Sequence, residues 1–191
     1  DLVDRGPDSA GVIDRAIKLK KKRGHNVQFL MGNHEEVFLK ACRQPDKKVA
    51  RFFVRIGGEE TILSYPISKK EYRDMNMEEL AKRLPELVPE EHLAFLESFE
   101  DQIIIGDYLF VHAGIRPDVP LPQQEPKDLR WIRDDFLSHR GEFEKVVVYG
   151  HTISKDVIEK KSRIGIDTGA YDSGKLTAIG LEGNDRWYLQ T

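Results

Sequence analysis

Apolar residues near the start of the chain recur three or four positions apart, which is the spacing of an amphipathic helix. They lie in the stretch "DSAGVIDRAIKLKKKRG" and are Val12, Ile13, Ala16, Ile17 and Leu19. Asp8 or Ser9 is suited to cap the start of this helix, and Gly24 to end it. The stretch "HEEVFLKACRQ" repeats the helical pattern. Between the two, the short apolar run "VQFLMG" predicts a buried strand.

The segment from Pro45 to about Asp101 is charged and mostly helical in pattern, with "IGGEETILSY" as a break. Within it, "MNMEELAKRLPELVPEEHLAFLESF" reads as two helices that are interrupted at Pro85 and Pro89, because a proline removes a helical hydrogen bond. We expect this helical segment, about residues 43–100, to shape specificity.

The pattern changes to strands after this segment. "DQIIIGDYLFVHAG" predicts two strands joined by a turn at Gly106-Asp107, and "EKVVVYGHT" predicts another buried strand. Several more short strands follow between Gly-rich turns near the end of the chain. Helices first and strands later predict a layered α/β or α+β domain with an antiparallel sheet late in the chain. A length of 191 residues suits one domain over residues 1–191.

Composition narrows the class of protein. Hydrophobic residues make up 39% and charged residues 33%, which is typical of a folded globular chain. A net charge of -3 does not favour nucleic-acid binding, and the basic run "KLKKKRGH" fits the C-terminus of a helix. One cysteine permits no internal disulfide, and no apolar stretch is long enough to span a membrane. We therefore expect a cytoplasmic monomer with neither a nucleic-acid nor a membrane partner.

Polar side chains follow several predicted strands. Asn33 and His34 follow "VQFLMG", His112 follows "YLFV", and His151 follows "VVVYG". Each has a glycine nearby, as do the aspartates of the opening stretch "DLVDRG". Two His, one Asn and one Asp from separate strand ends can converge at one edge of a sheet. Such a mixture of oxygen and imidazole ligands favours Mn, Fe, Zn or Ni over calcium.

The ordered set "DLVDRGPDS", "GNHE", "FVHAG" and "YGHT" resembles the PPP-type calcineurin-like metallophosphoesterases. The resemblance extends over nearly the whole chain and is strongest to the bacterial and phage lambda-type Ser/Thr protein phosphatases. It implies two facing mixed β-sheets flanked by helices, with metals at their C-terminal edge. It also implies an enzyme that hydrolyses phosphomonoesters, with phosphoserine or phosphothreonine proteins as the expected substrates.

Two features depart from the family pattern. The family begins with a strand that ends in Gly-Asp-x-His-Gly, whereas this sequence opens inside the second motif, so we expect an upstream segment to supply the missing ligands of the first metal. Relatives also often carry Arg immediately before the Gly of GNHE, where this chain has Met31. Without this arginine, either phosphate binding is weaker or another side chain compensates.

The resemblance implies a ligand set for two divalent metal ions. Asp1 would bridge them, and Asn33, His112 and His151 would complete the second metal. A hydroxide shared by the two metals would attack phosphorus in line, without a phospho-enzyme. Manganese is the first expectation for the metals, and iron, zinc and nickel stay open because all tolerate these ligands.

The resemblance also assigns the catalytic and phosphate-binding residues. His34 would protonate the leaving oxygen as general acid, and Asp4 would hold its imidazole. Arg5 and Asn33 would bind substrate phosphate. A second phosphate arginine follows a tryptophan in the family, and this position is matched by Arg133, with Arg130 as the less favoured choice.

Alternatives remain at this point. A symmetrical dinucleoside tetraphosphate hydrolase shares these motifs, but that branch tends to lack the Asp-Arg pair of "DLVDRG", which favours the phosphomonoesterase. A non-catalytic binding or scaffold protein is the alternative if the first-metal motif is truly absent. Gly57, Gly58 and Thr61 in "IGGEETIL" resemble a motif of the bacterial branch near the substrate cleft, and the Gly pair is interpreted as a turn.

Overall fold

The computed structural model describes residues 1–183 and 185–191. The chain divides into two compact units, Asp1–Glu100 and Asp101–Thr191. The first unit is helical, and the named strands all belong to the second. This division matches the change of pattern along the sequence, from helical spacing to short apolar runs.

Seven α-helices build the first unit of the described chain. They are α1 (Ser9–Arg23), α2 (Asn33–Arg43), α3 (Lys47–Phe53), α4 (Glu59–Leu63), α5 (Lys69–Asp74), α6 (Met77–Leu87) and α7 (Glu90–Glu97). A 3-10 turn, Gly24–Asn26, follows α1, and a π-helical turn, Val54–Gly58, joins α3 to α4. The buried rings of Phe38 and Phe53 stack with their centroids 5.3 Å apart, which packs α2 against α3.

The first helix begins and ends as its sequence predicts, and the second is fixed at its start by a buried side chain. The side chain of Asp8 accepts a hydrogen bond from the Gly11 amide and caps α1, and Gly24 ends it at a φ of 58°. Basic residues fill the last turn of α1, where they suit the partial negative charge of the helix C-terminus. The buried carboxylate of Glu35 in α2 accepts from the Gly32 amide and fixes the start of that helix.

Two local predictions in this unit are wrong. In the described part of the chain, "VQFLMG" forms no strand, and Leu30 makes only a single parallel bridge to Glu100. A strand needs a partner along its length, and here the partner is one residue long. Pro85 does not interrupt a helix but lies within α6, near its end, where the buried Leu84 and Leu87 keep the last turn packed. Pro89 does separate α6 from α7, as predicted.

The second unit contains seven strands among its described residues. They are β1 (Gln102–Ile105), β2 (Tyr108–Val111), β3 (Val146–Tyr149), β4 (Ile158–Lys160), β5 (Arg163–Gly165), β6 (Thr177–Glu182) and β7 (Asp185–Gln190). The short helices α8 (Pro126–Trp131), α9 (Asp134–Ser138) and α10 (Ala170–Ser173) lie between strands along the chain, and a 3-10 turn, Leu121–Gln123, precedes α8. The predicted hairpin at Gly106-Asp107 is confirmed.

The main sheet is mixed, in the order β1-β2-β3-β5-β4. Strands β2 and β3 are parallel, as are β3 and β5, whereas the two edge pairs are antiparallel. Strands β6 and β7 form a separate antiparallel ribbon. Leu109, Val147 and Phe136 are fully buried in the core beside the parallel strands. The α/β class is therefore confirmed.

No helix within the described residues is both long and apolar enough to cross a membrane.

Candidate active site

A buried carboxylate and a buried imidazole meet in the first unit. The Oδ2 atom of Asp4 lies 2.6 Å from Nδ1 of His34, and both residues are less than a tenth exposed. Asp4 lies in the loop before α1, and His34 is the second residue of α2. With Asp4 ionised, Nδ1 carries the proton of this hydrogen bond, and Nε2 is the nitrogen that can exchange a proton with a substrate.

The loop that carries Asp4 has an unusual backbone. Asp4 and Arg5 have φ values of 73° and 63°, in the left-handed region that most residues with side chains avoid. Glu35 holds this loop, because its carboxylate accepts a hydrogen bond from the Leu2 amide as well as from Gly32. Strain of this kind persists where surrounding contacts enforce it, and it is concentrated at functional sites.

Arg5 is held by the π-helical turn between α3 and α4. The Arg5 amide donates to the Gly57 carbonyl at 2.9 Å, and its guanidinium Nε donates to the Ile56 carbonyl at 3.2 Å. Gly57 has a φ of 115°, and a Cβ there would come within 2.5 Å of the Arg5 Cγ atom. The glycine pair read as a turn thus also accommodates the predicted phosphate arginine.

Asn33 and Asp1, the two predicted metal ligands of the first unit, differ in exposure. Asn33 is the first residue of α2 and is buried, directly before His34. Asp1 is exposed. Their roles in metal binding stay predictions.

Two buried imidazoles meet in the second unit. His112 follows β2 and His151 follows β3, and because these strands are parallel neighbours, their carboxyl ends lie side by side. The Gly150 amide donates to the His112 carbonyl at 2.8 Å and joins the two strand ends. Nε2 of His112 and Nδ1 of His151 lie 3.2 Å apart. His151 has a φ of 64°, which again places strain at a candidate site.

The imidazole pair fits one metal ion. Two imidazole nitrogens bound to a single tetrahedral metal at about 2.0–2.1 Å lie about 3.3 Å from each other. The observed 3.2 Å separation agrees with that geometry. Among residues 1–183 and 185–191, no group of three or more His, Cys, Asp and Glu side chains is arranged to hold a metal.

The two candidate phosphate arginines of the second unit have different surroundings. Arg133 donates from Nη1 to the His151 carbonyl at 3.2 Å and to the Thr152 hydroxyl at 3.1 Å. Arg130 instead donates from Nε to Asp101 at 2.6 Å. Arg133 therefore lies beside a predicted metal ligand, and Arg130 is engaged in an ion pair. The position supports Arg133 over Arg130.

The cysteine has no place in this chemistry. Cys42 is buried in α2, and burial raises the pKa of its thiol to about 12. At neutral pH it is a thiol, which is a weak nucleophile.

Sequence reasoning gave no role to Glu35, and it interpreted the Gly57-Gly58 pair as a turn. Glu35 is fully buried, which is unusual for a charged residue. The sequence alone does not show this burial. Thr61 is also fully buried and hydrogen-bonded to Asp4. The sequence singled out Thr61 only as part of the "IGGEETIL" motif and did not indicate its bond to Asp4.

Comparisons with known proteins place this geometry in context. The family model for calcineurin-like phosphoesterases matches residues 1–178. A crystal structure of a protein provisionally named a diadenosine tetraphosphatase superposes with a TM-score of 0.65 over 100% of this chain and 77% of that chain, at 21% identity. At that identity the likeness shows the fold alone.

Curated relatives include tetraphosphatases of two types. The asymmetrical bis(5'-nucleosyl)-tetraphosphatase PrpE of Anoxybacillus flavithermus (strain DSM 21510 / WK1) is 27% identical, over 94% of this chain and 72% of its own. The symmetrical bis(5'-nucleosyl)-tetraphosphatases of Acidovorax sp. (strain JS42) and Acidovorax ebreus (strain TPSY) are each 29% identical, over 77% of this chain. The matches span 39% of the length of these two symmetrical relatives.

Proposed function

Because the chain belongs to the calcineurin-like phosphoesterase family, we propose that it is a metal-dependent hydrolase whose substrates are dinucleoside tetraphosphates. The observation that carries this substrate class is the likeness to an asymmetrical tetraphosphatase over 94% of the chain. The relatives support this alternative better than the phosphoprotein substrate that the sequence motifs favoured. The broader claim of a phosphoesterase family is common to both.

The residues of the first unit supply binding and proton transfer. Arg5 binds a phosphate group of the substrate, because the Ile56 carbonyl holds its guanidinium and the Gly57 carbonyl holds its backbone amide. His34 donates a proton from Nε2 to the leaving oxygen, and Asp4 fixes the orientation and tautomer of the ring.

His112 and His151 would hold a divalent ion, with Asp1 and Asn33 as the further ligands implied by the family resemblance. When bound, divalent ions supply Lewis-acid activation of water and neutralise phosphate charge.

The Asp4-Arg5 pair supports asymmetrical over symmetrical cleavage. The symmetrical branch tends to lack this pair, whereas the pair is present here and Asp4 holds His34. The asymmetrical relative also matches more of this chain than the symmetrical ones do. We therefore propose asymmetrical cleavage, in which diadenosine tetraphosphate and water give AMP and ATP.

Product analysis tests this proposal. The chain is incubated with diadenosine tetraphosphate and Mn²⁺, and the nucleotides are separated by chromatography. AMP and ATP in equal amounts are expected, whereas ADP alone would mean symmetrical cleavage. Hydrolysis of a phosphopeptide without hydrolysis of the dinucleotide would overturn the substrate class. A folded chain that binds the dinucleotide but turns over neither substrate would support the non-catalytic alternative.

Phosphoserine or phosphothreonine proteins are the second candidate substrates, and the Asp4–His34 pair favours them. A phosphate leaving group is a weaker base than an alkoxide, with a pKa of about 6 for its conjugate acid, so a proton donor accelerates its departure less. An alkoxide is a far stronger base and needs a proton donor. A buried, oriented imidazole is of most use to the alkoxide. If this candidate is correct, His34→Asn lowers turnover of a phosphopeptide much more than turnover of an aryl phosphate.

A further inference from the structure

We propose that Thr61 is a positioning residue, whose hydroxyl locks the Asp4 carboxylate so that it presents His34 for proton donation. The inference rests on the proposed function, because it takes His34 to be the proton donor. Thr61 does not touch the substrate in this account. It acts on the reaction only through Asp4.

Two hydrogen bonds clamp Asp4 to Thr61. The Asp4 amide donates to Thr61 Oγ1 at 2.8 Å, and Thr61 Oγ1 donates to Asp4 Oδ1 at 2.8 Å. Thr61 is fully buried in α4, and Asp4 is nearly so. One hydroxyl therefore holds both the backbone and the carboxylate of Asp4, the residue that is hydrogen-bonded to His34.

The clamp uses the full capacity of the hydroxyl. A threonine hydroxyl has one proton to donate and can accept two hydrogen bonds. Its proton goes to the Asp4 carboxylate, so Ser9 Oγ, which lies 3.0 Å from Thr61 Oγ1, must donate to it. The Asp4 amide supplies the second bond that it accepts. The direction of every bond in the chain Ser9–Thr61–Asp4 is thereby fixed.

The clamp divides the two oxygens of the carboxylate between two partners. Oδ1 accepts from Thr61 and Oδ2 faces Nδ1 of His34 at 2.6 Å. The terminal torsion of an aspartate is otherwise broad, so without Thr61 the carboxylate can turn about its Cβ–Cγ bond. The branched Cβ of threonine limits its own rotation, which makes it a firmer anchor than serine. The geometry thus assigns Thr61 the task of aiming Oδ2 at the imidazole.

The test uses four variants of the full chain, a fifth variant that serves only to assign a signal, and two measurements. Thr61→Val keeps the shape and removes the hydroxyl, Thr61→Ala removes the hydroxyl without placing a methyl group against the carboxylate, and Thr61→Ser restores the hydroxyl. Ser9→Ala is the matched control, because it removes a hydrogen bond to the same oxygen but leaves both bonds to Asp4. The measurements are kcat and KM for diadenosine tetraphosphate and for p-nitrophenyl phosphate, and the downfield proton signal of His34 Nδ1–H, which is assigned by its loss in His34→Asn.

We expect Thr61→Val and Thr61→Ala to lower kcat about tenfold or more with KM little changed, because the proton donor is misaligned and not removed. The His34 signal should shift or broaden in both. Thr61→Ser should recover most of the wild-type kcat and signal, and Ser9→Ala should keep both. A purely structural role would lower stability in Thr61→Val and Ser9→Ala alike, without a change specific to the His34 signal.

An unchanged His34 signal in either hydroxyl-free variant that keeps a native amide spectrum would overturn the proposal. So would an unchanged kcat in an otherwise active enzyme. If the wild type hydrolyses no phosphoester at all, the proposed function fails, whereas the His34 signal still decides whether Thr61 aims Asp4. The two failures are therefore distinct.

Discussion

The Oδ2 atom of Asp4 lies 2.6 Å from Nδ1 of His34, across 30 positions of sequence. The contact brings the loop before α1 to the first turn of α2, and both side chains are almost completely shielded. Burial weakens competition from water, so the hydrogen bond fixes the ring more firmly than the same pair would at the surface.

Asp4→Asn tests that relationship. The amide lacks the charge that stabilises the imidazolium form and can present its NH₂ group to the ring, so we expect kcat to fall about 100-fold or more. Steady-state kinetics on the wild type and the variant measure it. Asp8→Asn is the control, since Asp8 caps α1 and asparagine is an equally good cap. Equal kcat values for Asp4→Asn and the wild type would exclude the proposed role.

Gly57→Ala tests the support of Arg5. The new Cβ would come within 2.5 Å of the Arg5 Cγ atom, and the backbone there has a φ of 115°, so Arg5 must move. We expect KM to rise more than kcat falls, because a phosphate contact is lost. Gly106→Ala is the control, with a φ of 57° and no atom within 4 Å of its Cβ. If both variants leave KM unchanged, Arg5 does not bind substrate phosphate.

His112→Ala and His151→Ala test the metal site of the second unit. Each removes one of two nitrogens that lie 3.2 Å apart, so a divalent ion would lose a ligand. We expect the affinity for Mn²⁺ or Zn²⁺ to fall about 100-fold or more, since even the partners of metal ligands contribute 10- to 100-fold. Equilibrium dialysis with metal analysis measures it, and the exposed His25→Ala is the control. Binding that survives both site variants unchanged would place the metal elsewhere.

Asp128→Asn tests a pH-dependent contribution to stability in the second unit. Arg116 donates to both carboxylate oxygens of Asp128 at 2.7 Å, and these hydrogen bonds hold the pKa of Asp128 below 3.8. A lowered pKa contributes stability that is present above pH 3.8 and is lost as the pH falls through the folded-state value. At pH 7 the variant should therefore lose about 1 kcal/mol of free energy of unfolding.

Denaturant unfolding at a series of pH values measures this loss. The difference in free energy of unfolding between the variant and the wild type should close below pH 3.8. Asp135→Asn is the matched control. Asp135 also accepts from Arg116, but it is 65% exposed, so its loss should matter less. A gap that is the same at every pH would mean that the charge of Asp128 does not contribute.

The predictions from sequence held where local rules decide the structure. The cap at Asp8, the end of α1 at Gly24 and the hairpin at Gly106 follow from the preferences of single residues. They failed where long-range packing decides. "VQFL" is apolar enough for a strand, but it pairs through Leu30 alone. Pro85 is compatible with α6 because it lies near the helix end, among buried leucines.

The candidate site, too, could be predicted only in part from the sequence. The sequence predicts that His112 and His151 each follow an apolar strand. Parallel pairing of those strands brings the rings together. The partner of Asp4 was available only through a family resemblance. Thr61 lies 57 positions from Asp4, and no local pattern links a threonine to a carboxylate at that distance. Contacts of this kind depend on how helices pack, which the sequence does not state directly.

The most direct test of the account is the metal dependence of dinucleotide hydrolysis by this chain. Diadenosine tetraphosphate is assayed with the protein as prepared, after chelation and dialysis, and again after addition of Mn²⁺, with circular dichroism as a check that the chain stays folded. The account predicts that chelation abolishes hydrolysis and that Mn²⁺ restores it. Hydrolysis that persists at full rate in the chelated, metal-free protein would contradict a metal-dependent phosphoesterase.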